Sequence, residues 1–168
     1  MRKETDKRRS RSQEGRGLME FGWARSGWEQ SARAGTRGGF ITRGRPVPLD
    51  GFPSHRARVH AGFVSHLDKQ GCGAKLLGTV LKEVAARQPC EVLLTGHSLG
   101  AAAATLLAFR LDGASTKLRM RLTLVTFGSP RVGNRFFKRA FDASARLRHY
   151  RVQNELDPVA RCPWWLPF

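Results

Sequence analysis

Five consecutive residues, Gly96-His97-Ser98-Leu99-Gly100, carry the strongest chemical signal in the chain. They fit G-x-S-x-G, in which a serine turned out at a sharp corner between a strand and a helix acts as a nucleophile. Glycines two before and two after the serine let the helix pass close to the strand, where a Cβ would clash. The helix then aims its first amide N–H groups, and the positive end of its dipole, at an oxyanion forming beside the serine. Leu99 N–H is the expected first donor. A pentapeptide with three fixed positions arises by chance in a chain holding 18 glycines, so its flanks decide. Glu91-Val92-Leu93-Leu94-Thr95 before it is a short apolar run of the buried-strand kind. Ala101 to Leu111 after it consists of strong helix formers. The competing reading, a tight turn with an inert serine, gains nothing from those flanks.

Such a serine needs a base and an acid to orient that base, and behind this corner the order is Ser, then Asp or Glu, then His. Asp157 follows a predicted strand, and loops at the carboxyl ends of strands are where sites of this architecture gather. Local sequence equally allows an Asp-Pro turn residue. Glu155 is the alternative acid. Asp142, at the end of an amphipathic helix, is a weaker one. The five histidines, His55, His60, His66, His97 and His149, all precede Asp157. His60 reads as a packing residue. His97 adjoins the serine but points elsewhere in such a turn, and His149 sits in a predicted strand that could face the site. A serine without its base loses several orders of magnitude in rate, although oxyanion stabilisation leaves a residue of activity.

The elements that would hold these groups alternate. Residues 74–88 place Leu77, Val80, Leu81, Val84 and Ala85 on one helical face, and Pro89 ends that helix. The strand 91–95, the turn 96–100 and the helix 101–111 follow, with Gly113 just past the helix end. Met120 to Phe127 is a second buried strand, stopping at Gly128-Ser129-Pro130. Asn134 can cap a short helix carrying Phe136, Phe137 and Phe141. His149 to Gln153 is a third strand. Strands alternating with helices predict an α/β fold, a mostly parallel sheet flanked by helices.

Residues 1–58 are different: basic, rich in Gly, Arg, Ser and Pro, and without periodicity. They predict a poorly ordered leader with one short strand near Phe40, and residues 59–168 the globular part. The formal charge is +17, divided as +8 over residues 1–60 and +9 over 61–168. Such a field draws anionic partners, among them nucleic acid, an anionic membrane or a lipid-droplet surface, although codon bias in a GC-rich genome would produce the arginine excess equally well. Ten basic residues face one acid between Lys117 and Arg151. No nucleic-acid motif accompanies them, which favours a solvated or membrane-docking face over a nucleic-acid site. Cys72, Cys90 and Cys162 have no metal-like spacing and read as three reduced thiols. No apolar stretch follows the basic N-terminus and no run is long enough to span a bilayer, so a cytoplasmic chain is the default expectation.

Four blocks together resemble the class 3, or fungal-type, triacylglycerol lipases of the α/β-hydrolase superfamily. They are Val59-His60-Ala61-Gly62-Phe63, Leu94 to Ala101, Thr126-Phe127-Gly128-Ser129-Pro130-Arg131-Val132-Gly133-Asn134, and Tyr150 to Val159. The resemblance covers residues 59–159 and implies a partial α/β-hydrolase fold, with Ser98 as nucleophile, Asp157 as acid and Leu99 N–H as one oxyanion donor. It implies hydrolysis of acylglycerol or related ester substrates, with no metal or organic cofactor. The family's second donor sits in an R-G-[ST] motif, and Arg33-Ala34-Gly35-Thr36 is an imperfect match that points to Thr36. Residues 37–58 do not show the family's amphipathic lid. The family's histidine lies well after the acid, and none follows Asp157. The expectation is therefore a lipase-like domain whose C-terminal part, with the histidine, is missing. A non-catalytic relative that binds lipid or protein is the alternative.

Overall fold

The computed structural model describes residues 18–21, 46–48, 56–69 and 72–163. In chain order it contains β1 (Leu18–Phe21), β2 (Pro46–Pro48), β3 (Arg58–His60), α1 (Ala61–Asp68), α2 (Cys72–Arg87), β4 (Cys90–His97), α3 (Leu99–Ala114), β5 (Met120–Phe127), α4 (Arg135–Asp142) and β6 (Leu147–Val152), then a 3₁₀ turn at Val159–Arg161. Four strands form one sheet in the order β1-β4-β5-β6, every neighbouring pair parallel. Strands β2 and β3 pair antiparallel in a separate ribbon.

The strand–turn–helix order explains the core. Along β5 residues alternate between buried and more exposed, with Met120, Leu122, Leu124 and Thr126 buried. Helix α3 is apolar on every side, as a helix sheathed by other elements must be, and Ala101 to Ala108 are all buried in it. It packs on β4 and β5 on one side and on α1 and α2 on the other. Alanines at 101–104 keep its first turns thin enough to lie flat on the sheet. Each leucine removed from water there contributes roughly 1.5–3 kcal/mol as an upper figure.

Helix α2 and the helix read from its periodicity agree, with Val80 and Val84 buried, while Ala85 turns outward and is exposed. Helix α1 is absent from the periodic reading. At eight residues it offers only two fully buried positions, Phe63 and Leu67, too few for a period to stand out. It is held instead from outside: Arg110 of α3 donates to both carboxylate oxygens of Asp68, with Nη2 to Oδ2 at 2.7 Å.

Within the segment read as a leader, β1 pairs with β4 from Leu18↔Glu91 to Phe21↔Leu94 and forms one edge of the sheet. The strand expected near Phe40 lies outside the described residues, as does most of 1–58. Strand β6 forms the other edge. It begins two residues earlier than its apolar pattern suggests, at Leu147, and beyond that residue it is exposed throughout. No helix among the described residues is long and apolar enough to cross a membrane. The three cysteines are unpaired.

Candidate active site

Strand β4 delivers Ser98 to the carboxyl end of the sheet, and the turn there is strained. Ser98 has φ 53° and ψ −121°, and it alone among the described non-glycine residues has a positive φ. A conformation of that kind costs about 1–3 kcal/mol, so surrounding bonds must hold it. Ser98 N–H donates to Phe127 O at 2.9 Å, and Ser98 O accepts from Ala101 N–H at 3.0 Å and Ala102 N–H at 3.3 Å. These bonds pin the corner to β5 and to α3. The serine stands at the N-cap position, where a hydroxyl usually accepts from the helix, yet its side chain makes no capping bond. It is half-buried, its hydroxyl left over for other work. Leu99 N–H opens the helix beside it.

The glycines of the turn are not equivalent. A Cβ on Gly96 would stand 2.5 Å from Gly100 O and 2.7 Å from Ala101 N. Helix and strand do approach too closely there for any side chain. A Cβ on Gly100 would meet nothing within 4 Å among the described residues. The close-approach argument therefore holds for Gly96 and fails for Gly100, whose missing side chain points away from the strand.

Asp157 comes to the same end of the sheet from β6. Its Oδ1 accepts from Val159 N–H at 2.9 Å, and its own N–H donates to Asn154 O at 3.1 Å. Its other oxygen faces the end of β5: a Cβ on Gly128 would lie 3.0 Å from Asp157 Oδ2 and 3.7 Å from His97 Nε2. Gly128 has φ 54°, and its N–H donates to Val152 O at 2.9 Å. Phe127 and Gly128 thus form a saddle, with Ser98 bonded on the β4 side and Asp157 leaning in from the β6 side. The structure brings Ser98, Leu99 and Asp157 together there.

His97 also reaches the saddle, its Nε2 3.7 Å from where a Gly128 Cβ would stand, and the remaining candidates fall elsewhere. Thr36 and His55 lie outside the described residues. Glu155 is exposed on the loop before Asp157. Asp142 ends α4, toward the start of β6, and is engaged by Lys138. His60 caps α1, its Nδ1 accepting from Gly62 N–H at 3.1 Å while its ring stacks on Phe63 at 4.3 Å. His149 is bonded to Thr126 Oγ1 at 2.8 Å, and its ring meets Phe141 edge-on at 5.5 Å. Although solvent reaches the residue from the open sheet edge, its ring is packed. That desolvation, and next Arg151, lower its pKa, against a smaller pull from Asp142.

Asn134 does more than its sequence indicated. Its Oδ1 accepts from Phe137 N–H at 3.1 Å, which caps α4, and also from Arg58 N–H at 3.1 Å. Its Nδ2 donates to Arg56 O at 3.0 Å. The loop after Gly128 is thereby fastened to β3, 76 residues away in the chain. Only the cap had a signal in the sequence.

Known proteins are similar to this chain in sequence and fold. The family described as Lipase (class 3) matches residues 41–166. Phospholipase A1-II 1 of Oryza sativa subsp. indica is 33% identical over 116 residues, 62% of this chain and 30% of that protein. Secreted mono- and diacylglycerol lipase 1 of Fusarium solani is 37% identical over 107 residues, 62% of this chain and 29% of its own length. Among solved structures, a triacylglycerol lipase whose catalytic centre is described as a serine protease triad superposes with a TM-score of 0.63 at 32% identity. That match covers 73% of this chain and 44% of the lipase. The chain therefore spans about a third of the curated relatives and under half of that structure.

Proposed function

Since the chain belongs to the class 3 lipase family, we propose that its site is that of a serine ester hydrolase acting on acylglycerols or related carboxylic esters in lipid metabolism. The observation that carries this is a serine held at positive φ between β4 and α3, its hydroxyl unused by the helix it caps, with a carboxylate turned toward the same saddle. Ser98 Oγ attacks the ester carbonyl. The tetrahedral oxyanion is held by Leu99 N–H and a second donor, for which Thr36 is the candidate. The alcohol leaves, and water then attacks the acyl-serine and releases the fatty acid. Asp157, fixed through Oδ1, presents Oδ2 to a histidine that takes the serine proton and returns it to the leaving group. His60 caps α1, and His149 is packed on Phe141 and bonded to Thr126, so neither takes that role, and the base is assigned to a histidine outside the described residues. No metal or organic cofactor enters this scheme. The excess of basic residues suits an anionic lipid surface, and co-sedimentation with anionic but not neutral vesicles is the expected behaviour.

A fluorophosphonate that labels serine nucleophiles tests the assignment. Labelling of this chain and, faster, of a longer chain that includes a later histidine is expected. It should vanish in Ser98→Ala, in keeping with the loss seen when a triad nucleophile is removed. Labelling that persists in Ser98→Ala refutes the assignment. A longer chain that stays unlabelled leaves a lipase-fold binding module instead.

A further inference from the structure

Asp157 is useful only if its loop keeps a fixed height against the corner that holds Ser98, and the two are linked through a short list of contacts. Ser98 hangs from Phe127 through its N–H, and Phe127 leads through Gly128 to Ser129. The acid loop leaves the sheet at Val152, whose carbonyl is bonded by Gly128 N–H, and returns at the 3₁₀ turn Val159–Arg161. Within the loop the bonds are local. Asn154 accepts through its carbonyl from Asp157 N–H and through Oδ1 from Leu156 N–H, while Arg161 donates to Glu155 O. Such bonds shape the loop without saying where it sits.

One side chain reaches the far end of the loop. Arg151 Nη2 donates to Ser129 O at 2.7 Å and to Ala160 O at 2.8 Å. Ser129 and Ala160 are both buried, and their carbonyls belong to the two segments that flank the saddle. A single guanidinium nitrogen thus ties the segment below Ser98 to the turn three residues past Asp157. The neighbouring Arg131 N–H adds a backbone bond to Cys162 O at 2.6 Å, further along. The residue is exposed on the open sheet edge, yet its guanidinium is partly desolvated, and that desolvation and the Arg131 charge press its pKa downward, a cost that hydrogen bonds to two carbonyls offset.

We infer that Arg151 is a positioning residue: it clamps the acid loop to the β5 end loop and so sets where Asp157 Oδ2 stands relative to Ser98. The inference rests on the assignment of Asp157 as the acid.

The Val159 amide, bonded to Asp157 Oδ1 at 2.9 Å, is a spectroscopic reporter of the carboxylate. In ¹H–¹⁵N spectra of the 168-residue chain, Asp157→Asn supplies the reference position for that amide without a carboxylate partner. Arg151→Met is expected to move the Val159 resonance toward that position and to speed hydrogen exchange about tenfold across residues 154–162, with α3 unchanged. Arg151→Lys, a single ammonium on a different stem, should give an intermediate displacement. Millimolar methylguanidine should draw the Arg151→Ala spectrum back toward wild type. Native Val159 and native loop exchange in Arg151→Met overturn the clamp. If Arg151→Met unfolds α3 as well, Arg151→Lys decides: a displacement confined to 154–162 supports the clamp, and native exchange there overturns it. Failure of the acid assignment looks different. Asp157→Asn would then leave phosphonate labelling of Ser98 unchanged in the longer chain that includes the histidine, whatever Arg151 does.

Discussion

Ser98 holds its backbone where an L-residue is uncomfortable, and that strain separates stability from chemistry at one position. Ser98→Gly should raise the free energy of unfolding by about 1 kcal/mol, since glycine adopts positive φ freely. The same variant should abolish phosphonate labelling. Urea denaturation beside a labelling assay measures both, and a destabilised Ser98→Gly chain would mean that the corner is not strained. The two glycines give a sharper contrast. Gly96→Ala forces a methyl to within 2.5 Å of Gly100 O and should cost about 1–3 kcal/mol. Gly100→Ala has open space and a helical backbone, so it should be neutral or stabilising by up to about 1 kcal/mol. Equal losses in urea midpoint for the two would contradict the geometry.

Single side chains also fasten whole elements together, and Asn134 is the clearest case. It caps α4, holds β3 through Arg58 N–H and carries Arg56 O, all from one amide. Removing a cap alone costs about 1 kcal/mol, and stranding the other groups adds more. Asn134→Ala should therefore lose about 2–3 kcal/mol, with exchange rising first at Arg58–His60. Asn134→Asp keeps the acceptor but not the donor, and should recover part of the loss. A loss confined to α4 would show that the link to β3 carries no energy. The strand β3 and the loop after Gly128 are further joined by His60 N–H to Val132 O at 2.9 Å, so two of the resembling blocks meet in space.

Across the molecule, imidazoles set a pH response of known sign. The pKa values of His66 and His149 lie below the ordinary value, His66 chiefly through burial and then Lys69, His149 through burial and then Arg151. Protons therefore bind the unfolded chain more readily. Stability from this source is full above the unfolded pKa of about 6.5 and is lost as pH falls through the lower folded values. Urea melts between about pH 7.5 and pH 5.5 should show the wild type weakening and a His66→Gln/His149→Gln chain weakening less. Parallel pH profiles would place the response elsewhere. At the β6 edge of the sheet, Tyr150 and Val152 stand 55% and 49% exposed. Solvent reaches His149 along that open side, while its ring stays packed against Phe141 and Thr126.

Local chemistry was legible without coordinates. The apolar run before Ser98, the alanines after it, the capping Asn134 and the break at Pro89 each act on neighbours within a few residues. The four blocks likewise specified the family. The tertiary structure decided everything that depends on register between distant segments. Asp157 Oδ1 is held by its own loop, but Oδ2 comes to face Gly128, 29 residues earlier, through the alignment of β5 with β6. The closeness at Gly96 and the freedom at Gly100, the double duty of Asn134 and the reach of Arg151 to two carbonyls depend on how strands are offset and where a side chain leaves the sheet. Spacing along the chain contains neither quantity, because a one-residue shift in pairing would turn each of these groups to the opposite face.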